Sequence, residues 1–318
     1  MSFRRSILRR FAVSAVVFAA VAVSGQPSSA QGAKGRTFFW KATSPTTEVY
    51  LLGSIHAARK ETYPLPPEID AAFVSASTLV VELDAGAINQ LQMAALVLKK
   101  AMYPAGDSLD KHVSPETMTA LRDYIRKNEL PDSLMTALSK TKPGMASAML
   151  TVMVAEKLGM SPDFGIDKHF TDRAHQADAP GGAKRIVELE TMEEQLTLLL
   201  DVEDKLAEKQ LVDSLKETNK DALDRLLQAW TRGDIPAVEK MIVDPSADEA
   251  SKKYNDRMLG DRNDRMAAKI AELMKGKERV FVVVGAAHLI GDRSVIKQLE
   301  QLGHKVERPE VTVRPKTP

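Results

Sequence analysis

The chain has 318 residues, with 44 lysines and arginines against 43 aspartates and glutamates, so its formal charge is only +1. The absence of cysteine excludes disulfides, a lipid-linked cysteine and thiol chemistry, and the balanced charge, without a basic stripe interleaved with aromatics, argues against nucleic-acid binding. At 44% hydrophobic residues the chain is long enough for one large domain, or for a sheet domain with a sizeable insertion, stabilised by burial alone.

At the N-terminus, Arg4, Arg5, Arg9 and Arg10 precede an uncharged apolar run from Phe11 to Val23, and Ser28 and Ala30 sit at the −3 and −1 positions of a cut before Gln31. This is the layout of a signal peptide over residues 1–30, and it predicts an exported protein, periplasmic or extracellular. The run is short for a membrane span, so no stable transmembrane segment is expected after cleavage; an uncleaved N-terminal anchor is the alternative reading. Loss of those four arginines leaves 40 basic against 43 acidic residues, a net charge of −3.

Further along, Thr37–Trp40 and Val49–Leu52 read as strands joined through Ser44-Pro45, which suggests a hairpin. Pro66-Pro67-Glu68 opens a helical pattern through Ile69, Ala72 and Phe73, and the apolar run Thr78–Leu83 reads as a buried strand. From about Gln90 to Met274 the periodicity is almost entirely helical, with starts such as Ser114-Pro115-Glu116 and one strand candidate at Arg185–Leu189. Met145, Met149 and Met153 recur at helical spacing, as an adaptable groove or, more ordinarily, as a buried helix face. Arg279–Val284 is the clearest strand, a helix over 292–302 closes on Gly303, and His304–Arg308 reads as a last strand before a tail over 309–318. The expected class is therefore α/β (α+β), with a central sheet built from N- and C-terminal strands and a large, mainly helical middle insertion.

Two of the six histidines share one context: Leu51-Leu52-Gly53-Ser54-Ile55-His56 and Val283-Val284-Gly285-Ala286-Ala287-His288. Residue frequencies give about 0.3 chance Gly-x-x-His matches, so two, each after an apolar strand, is a mild excess. Glycine permits a sharp turn at the carboxyl end of a strand, where open α/β sheets bind ligands. If the two strands are neighbours, His56 and His288 converge on one pocket and Glu82 supplies a carboxylate nearby. That trio suits an open divalent-metal site holding zinc, manganese or cobalt and activating water; the plain alternative is two histidines bonded to loop backbone.

The ordered set of motifs resembles the TraB/GumN (TraB/PrgY/GumN) family. It comprises Leu52-Gly53-Ser54-Ile55-His56, Pro64-Leu65-Pro66, Val80-Val81-Glu82-Leu83-Asp84, Gly165-Ile166-Asp167, Leu189-Glu190-Thr191 with Glu194-Gln195, Arg262-Asn263, and Val284-Gly285-Ala286-Ala287-His288-Leu289. The resemblance spans about Thr37 to Arg308, within an expected domain over 31–308. It implies a metal-dependent hydrolase architecture, since wider relatives include the Tiki metal-dependent proteases and, more distantly, the erythromycin esterases. Position by position, it makes His56 and His288 the paired motif histidines and Glu82 the nearby acid, with Glu190, Arg262 and Asn263 as additional matches. PrgY-like members are associated with limiting peptide pheromone signalling, which is compatible with binding without cleavage.

Each secondary residue has a structural reading beside the functional one. Glu190 and Gln195 either polarise water and position substrate or cap a helix, and Arg262 either stabilises an oxyanion or sits in an ion pair. Asp167 caps a helix or binds metal, and His112, His169, His175 and His304 look solvated. The leading expectation is an exported metal-dependent hydrolase acting on a peptide or related amide or ester, with Glu82 or Glu190 as ligand or general base. The alternative is a peptide-binding or sequestering protein using the same pocket without turnover.

Overall fold

The computed structural model describes residues 33–87, 89–217, 220–242 and 248–313. The expected signal peptide and the last five residues, Arg314–Pro318, lie outside the described residues.

The described strands are β1 (Ala33–Gly35), β2 (Phe39–Thr43), β3 (Glu48–Ser54), β4 (Thr78–Val81), β5 (Arg185–Glu188), β6 (Val280–Gly285), β7 (Lys305–Glu307) and β8 (Val311–Val313). Six of them form one sheet in the order β5-β4-β6-β3-β2-β7. Within it β5, β4, β6 and β3 run parallel, whereas β2 pairs antiparallel with both β3 and β7. The hairpin expected at Ser44-Pro45 links β2 to β3, closed by the Ser44 amide donating to Thr47 O at 3.0 Å. The long-range closure is also present: β3 lies beside β6 with Val49 opposite Val280 and Ser54 opposite Gly285.

All four residues of β4 and the first five of β6 are buried. Side chains alternate across a sheet, so continuous burial means that both faces are covered, as the unbroken apolar runs of the sequence imply. On one face Phe281 of β6 meets Phe73 and Phe170 at ring-centroid distances of 5.5 and 4.9 Å. These two aromatics come from the helices Pro67–Ser75 and Ile166–His175. Trp230, on the helix Lys220–Thr231, donates its indole N–H to Gly53 O at 2.8 Å. A Cβ on Gly53 would stand 3.0 Å from both Ala286 Cα and Phe38 Cβ, so glycine here permits close approach of β3 to the turn after β6.

The middle of the chain is helical as expected, with β5 as its strand. Much of it packs around a core of its own: Leu109, Leu121, Leu138 and Leu150 are fully buried in a cluster separate from that of the sheet. Met149 and Met153 are partly buried against this cluster and Met145 against a smaller one, which matches the plain reading of the methionine stripe as a packed face. The helix expected over 292–302 is shorter, Val295–Gln301, because Ser294 takes the N-cap position and accepts the Lys297 amide. Among the described residues no helix is long and apolar enough to cross a membrane.

Within the expected tail over 309–318, residues 311–313 form β8 and pair antiparallel with β1 in a separate two-stranded sheet. Alternation over three residues is too short a signal to register in a sequence. What holds β8 is Glu68, whose carboxylate accepts from the Thr312 amide at 3.0 Å, the Thr312 hydroxyl at 2.8 Å and the Lys34 ammonium at 2.8 Å. Burial works to raise the Glu68 pKa, but these donors prevail and bring it down to about 2. A depressed carboxylate stabilises the fold above its unfolded pKa near 4.5, and that contribution fades as pH falls toward 2. Protection of the Thr312 amide, its exchange rate relative to the intrinsic rate at each pH, is therefore expected to fall selectively between pH 4.5 and 2; Glu68→Gln should show low protection already at pH 6, and wild-type protection in that variant would contradict the assignment.

Candidate functional site

Four successive strands of the parallel array deliver one polar residue each at their carboxyl ends. In spatial order they are Glu190 after β5, Glu82 after β4, His288 after β6 and His56 after β3. Residues scattered from position 56 to 288 in sequence thus form a single row along one edge of the sheet, the place where open α/β sheets bind ligands. The Glu190 amide donates to Glu82 O at 3.0 Å, fixing the first two members of the row relative to each other.

Arg262 ties these two carboxylates together. It lies on the helix Asp261–Leu273, which follows directly on the π-helical turn Asp256–Gly260 and precedes β6. Its Nε donates to Glu190 Oε1 at 2.7 Å, and its Nη2 donates to Glu190 Oε2 at 2.6 Å and to Glu82 Oε2 at 2.8 Å. Its Nη1 reaches Met258 O at 3.0 Å. All three side chains are buried. Burial pushes the Glu190 carboxyl up, but the guanidinium outweighs it and holds the group below its usual range, and so ionised at neutral pH. Gln195 completes the bridge, its amide N–H groups donating to Glu190 Oε2 at 3.1 Å and Glu82 Oε2 at 3.4 Å. The helix-capping role considered for this segment falls instead to Thr191 and Glu194, which form a capping box at the start of Met192–Leu200.

Glu82 Oε1 accepts the Gly285 amide at 2.6 Å, and a Cβ on residue 285 would come within 3.2 Å of that oxygen. Glycine in the second Gly-x-x-His turn therefore serves close approach of a carboxylate as well as the bend. The same oxygen lies 3.6 Å from His288 Nε2. On the other side of the ring, His288 Nδ1 is 2.6 Å from Asn263 Oδ1. Asn263 donates its amide Nδ2–H to Arg293 O at 2.9 Å, which orients the amide so that Oδ1 faces the histidine. His288 thus donates from Nδ1 and presents the lone pair of Nε2 toward Glu82. Burial is the largest influence on this imidazole and lowers its pKa, against the pull of Glu82, so it is neutral at pH 7.

His56 sits differently. Its Nδ1 is 3.2 Å from Asp167 Oδ1, and 74% of its side chain is exposed, facing an open crevice. Asp167 lies in the first turn of Ile166–His175, while Gly165 occupies the N-cap position with no side-chain cap. The capping role expected for Asp167 is thereby replaced by that of a histidine partner. A Cβ on Gly165 would stand 2.5 Å from His56 O, so only glycine lets this helix start close enough for the contact. Asp167 raises the His56 pKa to about 9, with burial opposing and the Glu82 charge assisting. The two histidines are close enough for each to matter electrostatically: positive charge on His56 further lowers His288.

A cavity of about 140 Å³ opens here, lined by Ser54, His56, Glu82, Asp167 and Gln195 together with Val81, Leu83 and Val283. Glu82, Glu190, Arg262, Asn263 and His288 form one connected polar network behind it, which His56 joins by sharing the cavity wall with Glu82. The sequence gives Ser54 no role of its own, and of the two readings of Asp167 the helix cap is replaced by the pairing with His56. A polar residue ending an otherwise apolar β3, and a Gly-x-Asp opening a helix, were the available signals.

The other histidines are less solvated than expected. His112 stacks on Tyr103 at 4.4 Å and reaches Asp107, His169 packs against Tyr63 at 4.6 Å, and His175 binds the buried carboxylate of Asp84 at 2.9 Å. Local sequence polarity hides Tyr63 and Asp84, which lie far along the chain from the histidines they meet.

As donors for a cation, His56 and His288 fit: each has Nδ1 engaged by an oxygen, leaving Nε2 to bind, and such outer partners are what orients metal-ligating histidines. Glu82 Oε1 is the nearest carboxylate oxygen, although it already takes the Gly285 amide. Among the described residues no three His, Asp or Glu side chains are grouped closely enough to hold one ion in this arrangement.

These features define a class of α/β protein in which two Gly-x-x-His turns, an Arg-bridged carboxylate pair and an amide-anchored histidine share one sheet edge. The model of the TraB/PrgY/gumN family matches residues 38–308, which include every residue of this site, and the chain belongs to that family. It is 28% identical over 274 residues to the protein of Escherichia coli (strain K12) called "Uncharacterized protein YbaP", covering 84% of this chain and 94% of that one. The same identity and coverage hold for the protein of that name from Shigella flexneri. No solved structure matches the chain.

Two predictions arise from the site. An NMR titration of metal-free protein should find His56 titrating above 6.5, toward 9 but short of it because solvent screens the exposed ring, and Asp167→Asn should return it to about 6.5. A wild-type midpoint at or below 6.5 would contradict the pairing. Replacing Arg262 by Met strands two buried carboxylates and is expected to cost about 3–5 kcal/mol in urea unfolding at pH 7. Without the guanidinium the Glu190 carboxyl takes up a proton more readily, so the deficit should shrink at pH 5; a deficit independent of pH would argue against charge as its cause.

Proposed function

We propose that the chain is an exported, metal-dependent hydrolase of a peptide or related amide or ester. The observation that carries this reading is the pair of histidines from adjacent parallel strands, each fixed at Nδ1 by an oxygen acceptor and presenting Nε2. His56 and His288 would hold a divalent ion (zinc, manganese or cobalt), with Glu82 Oε1 as the carboxylate partner. Such an ion supplies a Lewis acid and lowers the pKa of water.

The chain's own residues do the remaining work. Asn263 and Asp167 set the tautomer and direction of the two imidazoles. Arg262 holds Glu82 and Glu190 in place and keeps Glu190 ionised, so that one carboxylate can accept a proton at the cavity while the other balances charge. A cavity of about 140 Å³ is smaller than the roughly 300 Å³ at which pockets begin to enclose a whole ligand, so a single group of a longer substrate would enter it. Export rests on the basic-then-apolar N-terminal segment followed by Ser28 and Ala30.

A second reading is a peptide-binding protein with the same pocket and no turnover. It is favoured by the fact that both oxygens of Glu190 and both of Glu82 already accept hydrogen bonds, which leaves them less lone-pair capacity to take a proton during turnover.

The test is to assay purified protein lacking residues 1–30 for bound metal and for hydrolysis of a peptide library, with and without chelator. Cleavage should disappear with chelator and fall at least about 100-fold in His56→Ala and in His288→Ala. Unchanged cleavage in both variants defeats the mechanism. Saturable peptide retention with no product by mass spectrometry, after metal addition, favours the second reading.

A further inference from the structure

Ser54 is the last residue of β3, directly before the turn that carries His56, and only 3% of it is exposed. Its Oγ has no hydrogen-bond partner among the described residues. It lies beside the Asp167 carboxylate, near enough to help keep that group ionised, but not in the geometry of a hydrogen bond. It also lines the cavity shared by His56, Glu82, Asp167 and Gln195. A buried hydroxyl left unpaired is destabilising by an amount comparable to a lost hydrogen bond. Beyond helping to keep Asp167 ionised, the unbonded hydroxyl adds nothing to folding that alanine would not supply, so its further use is sought in what enters the cavity.

The other polar walls constrain what that is. Glu82 and Asp167 offer only acceptors, and the Gln195 amide N–H groups are turned to Glu82 and Glu190. His56 Nδ1 is committed to Asp167. The Ser54 hydroxyl makes no hydrogen bond among the described residues in a wall rich in negative charge, and beside the Nε2–H of protonated His56 it is a donor this wall can offer to an incoming oxygen acceptor.

We propose that Ser54 is a substrate-binding residue whose Oγ–H donates to the acyl oxygen, the carbonyl oxygen of an amide or ester, of the group that enters this cavity. The proposal deepens the hydrolase reading by assigning the group that holds the substrate carbonyl, and it stands for a binding protein as well. Ser54 then trades stability for recognition, which a structural serine does not do.

The probe is N-acetylglycinamide, a small neutral amide, titrated into the full chain lacking only residues 1–30 and followed by NMR at His56. The wild type should bind it saturably, Ser54→Ala about two- to tenfold more weakly, the range for one neutral hydrogen bond, and Ser54→Thr within twofold of wild type because it keeps the hydroxyl. In parallel, the Tm of Ser54→Ala should equal or exceed that of the wild type. Equal affinity in wild type and Ser54→Ala, no saturable binding to the wild type, or a lowered Tm in Ser54→Ala would each overturn the proposal. Saturable, Ser54-dependent binding without hydrolysis of any peptide, with metal present, would defeat the hydrolase reading and leave this one standing.

Discussion

The site depends on one guanidinium held between two carboxylates. Arg262 is buried with Glu82 and Glu190, and a charge in that position is tolerable only because four hydrogen bonds and two opposite charges surround it. The dependence is mutual, since among the described residues neither carboxylate is paired with another lysine or arginine. The clamp also crosses the fold, joining the ends of β4 and β5 to the helix that leads into β6, so the row of polar residues and the sheet beneath it are stabilised together.

A division of labour between the two motif histidines follows from their surroundings. His288 is buried, amide-anchored and neutral; His56 is exposed, carboxylate-anchored and readily protonated. Identical Gly-x-x-His spacing therefore produces two unlike groups, because the helix or strand that packs above each turn differs. Over His56 it is Asp167 on Ile166–His175, and over His288 it is Asn263 on Asp261–Leu273. Spacing placed the rings, and distant partners set their chemistry.

Much of the fold was legible because its signals are strong and local. The five consecutive apolar residues of β6, the Pro-interrupted hairpin and the helical periodicity of the middle each reflect burial along a short stretch. The row Glu190, Glu82, His288, His56 was legible in part, through residue type and the ordered motif set. What the sequence did not disclose were pairings between distant segments: Asp167 with His56 at a separation of 111 residues, Arg262 with Glu82 at 180, and Glu68 with Thr312 at 244. A carboxylate before a helix looks like a cap until the N-cap position is seen to belong to Gly165. Likewise a three-residue β8 has too little pattern to distinguish it from a tail.

The pairing of β3 with β6 has a consequence for how such a chain comes into being. Strand β3 ends at Ser54 and its parallel neighbour begins at Val280, so the central seam of the sheet cannot close until almost the entire polypeptide is available. Until then the hairpin of β2 and β3 presents an apolar edge with nothing to zip against, a template for unwanted association. A chain emerging N-terminus first would need that edge kept apart from its neighbours, and a product terminated before β6 would lack His288 and the Val283 wall of the pocket.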